Sequence, residues 1–120
     1  MFMTYEVTKQ LIASLRGPVL EIQKNDRELA DQIYRAANSV LLNLGEGQKF
    51  QDGNRRKHYA IAQGSANEVK AALDAAEAWG WIIESNEPRA LLDRVLAMLW
   101  KLTHSEAITK LAKGARPRAS

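Results

Sequence analysis

A chain of 120 residues with 46% hydrophobic content has room for one domain around a modest core. The absence of cysteine removes disulfides, thiolate metal sites and cysteine nucleophiles. No apolar run approaches the roughly 18 residues that a membrane span needs, and MFMTYEVTKQ lacks a charged head followed by an apolar signal segment. The expectation is a cytoplasmic protein that meets no membrane. A net charge of +3 and a pI near 9.3 favour a polyanionic partner without requiring one, so the placement of charge matters more than its sum.

Val7, Leu11, Ile12, Leu15, Val19 and Ile22 step by three or four and predict a first helix over Thr4 to Ile22. Gly17-Pro18 predicts a kink or short break in it, because proline removes a donor and crowds the preceding turn. After a polar connection, Gln23 to Asp26, Asn25 and Glu28 have the spacing of a capping box. The second helix carries an apolar seam of Ile33, Ala36 or Ala37, Val40 and Leu44, and ends near Gly45 or Gly47, glycines suited to a left-handed helix end. Gln48 to Asn54 reads as a surface loop.

A third helix is predicted from about Asn54 to Trp79, stopped by Gly80, with Ile61, Val69, Leu73 and Ala76 facing inward. Gly64 near its middle costs about 1 kcal/mol relative to alanine, so a close approach of another backbone is expected there. Trp79, Trp81, Ile82 and Ile83 form an apolar cluster expected to plug the bundle end. Ser85 or Asn86 can cap a fourth helix with Pro88 in its first turn. Its apolar stripe, Leu91, Leu92, Val95, Leu96, Met98, Leu99, Trp100 and Leu102, is wider than one neighbouring pair buries and predicts self-association. Ile108 and Leu111 lead into KGARPRAS, so the domain is placed at 1–113 and a disordered basic tail at 114–120. Four helices with short connections and almost no strand signal give an all-α, antiparallel up-down-up-down four-helix bundle.

The second helix also carries a polar seam. Gln32, Arg35, Ser39, Asn43 and Glu46 recur at helical steps, and short polar groups in a line suggest partners other than water. With Gly47, and with Ile61-Ala62, Gly64-Ser65 and Glu68 in the third helix, this pattern resembles the four-helix bundle family of proteins encoded by intervening sequences in bacterial 23S ribosomal RNA genes. Relatives of that family include the accessory variability determinant of diversity-generating retroelements. The resemblance runs from the first helix to the WGWI turn and does not cover the tail after Lys113. It implies a ring-shaped homopentamer with no known catalytic activity and, in the retroelement branch, a basic platform for a reverse transcriptase and nucleic acid. Two positions depart from the family's pattern: Gly45 stands where alanine is usual before the Glu-Gly pair, and Gln63 where arginine is usual before the Gly-Ser pair. The second departure removes a positive charge from that helix face.

Read from the residues, Arg35 and Glu68 are expected to pair across helices beside Gly64, with Ser39, Asn43 and Ser65 supplying further hydrogen bonds. An enzyme is not expected. His58 and His104 lack metal-ligand spacing, no nucleophile elbow surrounds Ser39 or Ser65, and Glu77, Glu84, Glu87 and Asp93 read as solvated surface. No cofactor is implied. The functional signal is Lys49, Arg55, Arg56, Lys57 and His58, interleaved with Phe50 and Tyr59 and opposed only by Asp52, a pattern suited to phosphate contact and base stacking. Arg116 and Arg118 in the tail add to it. The expected partners are copies of the chain itself together with RNA, DNA or a reverse transcriptase; the alternative is a structural or protein-docking ring with incidental charge.

Overall fold

The computed structural model describes residues 2–82 and 84–115, with side chains in the last helix as far as His104. Four helices account for most of it: α1 (Met3–Gln23), α2 (Arg27–Gly47), α3 (Gly53–Ala78) and α4 (Asn86–Ala115). Helix α2 packs on α1 and α3, and α4 closes the bundle against the same two, which is the expected up-down-up-down arrangement. Among the described residues there is no strand, and no helix is long and apolar enough to cross a membrane. Helix α4 runs to Ala115, two residues past the anticipated domain boundary, and Arg116–Ser120 lie outside the described residues.

The core follows the apolar seams. Val7, Leu11, Leu15 and Ile22 of α1 meet Ile33, Val40 and Leu44 of α2, Val69 and Leu73 of α3, and Leu92, Val95 and Leu99 of α4, all buried. Between α2 and α3 the buried positions are dominated by alanine, with Ala30, Ala36 and Ala37 on one helix and Ala62, Ala66, Ala72 and Ala76 on the other. Small residues let these two helices approach closely, so the few large side chains beside the seam carry much of the apolar burial.

Several local expectations change. Helix α1 runs unbroken through Gly17-Pro18, because the buried residues Leu11 and Leu15 before the proline and Ile22 after it hold the helix across one missing hydrogen bond. Asp26, not Asn25, caps α2. Its carboxylate accepts from Leu29 N at 3.1 Å, while Asn25 Nδ2 turns back to Glu21 O. Neither Gly45 nor Gly47 is left-handed: α2 continues through both, and Gly80 has the one positive φ among the described residues, +77°. There α3 ends in a Schellman turn, with Gly80 N donating to Glu77 O and Trp81 N to Ala76 O, both at 2.9 Å. The tryptophan plug is only partial. Ile82 is buried and Trp81 packs on the core, but Trp79 stacks on Trp81 while staying 72% exposed.

Ser85 occupies the position before α4, its carbonyl accepting from Arg89 N at 2.9 Å, but its hydroxyl donates to the Glu77 carboxylate instead of capping the helix. Arg89 Nε donates to the same Glu77 oxygen at 2.9 Å, and Arg89 Nη2 lies 2.9 Å from Asp74 Oδ1 as an ion pair. Glu77, expected as solvated surface, thus ties α3 to the start of α4. The Arg89 guanidinium foremost, and the Ser85 hydroxyl, hold the Glu77 carboxyl below its ordinary value, and Arg89 is raised by the same pairing. A carboxyl lowered in the folded state stabilises at pH above its unfolded value of 4.5, and that contribution fades as pH falls below it. Denaturation of the native protein and Glu77→Gln should therefore differ most near neutrality, and the gap should close below pH 4.5; a gap constant with pH would contradict the pairing.

Candidate nucleic-acid interface

The end of α2, the loop to α3 and the first turns of α3 share one end of the bundle with Phe2 and the α4 segment 98–104. Asp52, the one acid in the loop, accepts from Asn54 N at 2.9 Å as the cap of α3. Arg55 and Arg56 follow in the first turn, with Lys57 next and no acid among them. The helix dipole disfavours a cation at an N-terminus by about 0.3–1 kcal/mol, so this concentration of charge runs against the local optimum, as functional sites do. Arg55 relieves part of it by donating from Nε to Gly47 O at 3.4 Å, at the carbonyl end of α2.

The remaining basic residues divide by role. Lys49 is exposed and paired with Glu46 at 3.1 Å, so part of its charge is offset locally. Arg55, Arg56, Lys57 and Lys101 pair with no carboxylate among the described residues. Lys101 was not singled out from the sequence, although an up-down topology necessarily brings the end of α4 beside the α2–α3 loop. Arg116 and Arg118 lie outside the described residues. Tyr59 is not available for stacking: its ring is buried, centred 6.0 Å from that of Phe2. Phe50 stacks on His58 instead, at 5.7 Å and 4°.

His58 also belongs to a hydrogen-bonded chain that lines the α2–α3 seam. Ser65 Oγ meets Ser39 Oγ at 2.7 Å, Asn43 Nδ2 donates to Ser39 O and Oγ at 2.9 and 3.2 Å, and Asn43 Oδ1 lies 2.9 Å from His58 Nδ1. The polar seam thus does lock the two helices, through Ser39, Asn43 and Ser65 as expected and through His58, which the basic run had masked.

The outer members of the seam do not take part. Gln32, Arg35, Glu46 and Glu68 are exposed, and no ion pair joins Arg35 to Glu68. Gly64 meets nothing: a Cβ added there finds no atom within 4 Å. The cause is the register of α3. Ser65 points at α2, so Gly64, one residue earlier and 100° around the helix, points outward together with Ile61 and Glu68. Ile61, expected in the core, is 43% exposed.

No curated protein and no solved structure is significantly similar to the chain. The model of the 23S rRNA-intervening sequence protein family matches residues 4–101, from the first turn of α1 to the middle of α4, and the chain belongs to that family.

Proposed function

We propose that the chain is a non-enzymatic, cytoplasmic scaffold that assembles with copies of itself into a ring and presents its basic end to a nucleic acid or to a nucleic-acid-handling protein. The observation that carries this is the set of cations at one end, Arg55, Arg56, Lys57 and Lys101, without carboxylate partners among the described residues while the nearby acids Asp52 and Glu46 are engaged elsewhere. Polyanion binding through such cations releases counterions, and several copies on one rim multiply a weak contact. Resemblance to the retroelement branch makes a pentamer and a reverse transcriptase the specific forms of this reading. Fluorescence anisotropy with labelled RNA and DNA tests it: the slope of log affinity against log salt should fall by about one for each cation removed in Arg56→Gln with Lys57→Gln. Absence of binding at low salt sinks the proposal.

The face bearing Arg35, Leu42, Ile61, Gly64 and Glu68 supports assembly. Leu42 is 67% exposed, the Gly64 backbone is open, and the two opposite charges have no ion-pair partner among the described residues, as expected of a surface met by a second copy. Arg35→Met or Glu68→Gln should lower the sedimentation coefficient while leaving helicity unchanged. Unaltered sedimentation would remove this face from the assembly. A protein-docking role draws on a different feature, the apolar groove of about 360 Å³ between α1 and α2, edged by the exposed residues Leu20 and Tyr34.

A further inference from the structure

We infer that the basic end holds a pocket for one phosphorylated nucleotide, distinct from the loop that meets a polyanion along its length. This deepens the nucleic-acid reading by naming the chemical group that is bound. A cleft of about 700 Å³ lies between the start of α1, the start of α3 and the middle of α4, within the range of about 300–1,000 Å³ found for small-molecule sites. Phe2, Tyr59, Met98 and Leu102 form its apolar wall, and Arg55 and Lys101 are the charged residues that line it.

Two features narrow the ligand. Arg55 is half-buried and held through Nε by Gly47 O, so its guanidinium is oriented in advance and its terminal amino groups remain for an anion. Lys101 supplies a second, exposed positive charge, and among the described residues no carboxylate lines the cleft. Two cations match the roughly −1.5 to −2 charge of a phosphate monoester better than the single charge of an internal diester. The wall beside them is in part aromatic: the buried Tyr59 ring backs the half-buried Phe2 at 39°, and the Phe2 ring is the natural complement of a flat heterocycle. A monoester attached to a heterocycle occurs at the end of a nucleic acid strand and in a free mononucleotide, and the cleft does not choose between those sources.

Amide NMR titration of the native protein with adenosine monophosphate tests the pocket. Saturable shifts are expected around Arg55, Tyr59 and Lys101, with affinity about tenfold weaker in Lys101→Gln, an exposed position where the change spares the fold. Adenosine and inorganic phosphate should each bind far more weakly than the nucleotide. Unsaturable shifts, equal affinity in Lys101→Gln, or phosphate binding as tightly as the nucleotide would overturn the inference. A 5′-phosphorylated oligonucleotide that displaces the nucleotide, while its circular form does not, identifies the strand end as the source. If neither form displaces it, a free nucleotide is the ligand, and displacement by the circle refutes selectivity for the monoester. Loss of oligonucleotide affinity in Arg56→Gln with Lys57→Gln leaves the nucleotide shifts in place, so the loop and the pocket fail separately.

Discussion

Gly47→Ala should destabilise the bundle by about 1–3 kcal/mol, whereas Gly45→Ala, two residues earlier in the same helix, should be neutral or slightly stabilising. A Cβ at position 47 would stand 2.5 Å from Cε1 and 2.9 Å from Cδ1 of Tyr59. Those atoms belong to a buried ring packed beside Phe2, so the clash cannot be relieved by swinging the end of a flexible chain. At position 45 the nearest atom is Tyr5 Cε2 at 3.6 Å, an ordinary contact, and the alanine recovers helix propensity. Chemical denaturation of the two variants separates them. Equal behaviour would mean that Tyr59 moves freely, which its burial argues against. Because Tyr59 also walls the cleft, Gly47→Ala should weaken nucleotide binding as well as stability.

The contrast shows what the sequence could and could not disclose. Apolar periodicity located all four helices and most of the core, because Ile33, Val40, Leu44, Val69, Leu73, Leu92, Val95 and Leu99 are each dictated by the need to bury one face. Gly80 is legible in the sequence as the stop of α3, whereas Gly47 is not. Glycine at a helix end and glycine in tight packing look alike in one dimension, and only geometry assigns Gly47 to the second role. The polar seam was visible as a pattern, but the partner of each member depends on where the buried arc of α3 ends. Val69, Leu73 and Ala76 face inward as expected, and the arc takes in Ala62 and Ser65 while leaving Gly64, Ile61 and Glu68 outside. His58 was read as a charge because it stands beside Arg56 and Lys57, although its Nδ1 bonds across to α2. Lys101 entered the site from a segment more than forty residues away, a juxtaposition made by topology and not by local sequence.

The same buried arc sets the largest expected loss of stability. Leu73→Ala should cost about 3–5 kcal/mol, near the upper part of the range for a buried leucine. Leu73 is fully buried, and apart from Tyr59 at its start α3 otherwise contributes Val69 and a series of alanines to the core. Alanine neighbours have no side-chain length with which to fill a void, and the close α2–α3 seam leaves little room for the helices to shift inward. The cavity therefore persists, and its lining loses dispersion contacts in addition to the transfer free energy of the deleted methyl groups. For a domain of this size such a loss lowers the melting temperature by roughly 10–20 °C. Ile61→Ala, on the same helix and chemically similar, should cost under about 1 kcal/mol in the single chain, because the side chain is already partly in water. Sequence periodicity alone treats Ile61 and Leu73 as equivalent inward positions, so comparable melts for the two variants would restore that reading and contradict the register seen here. A larger Ile61→Ala effect that depends on protein concentration would instead place Ile61 in a contact between copies, since burial against a partner adds stability by mass action.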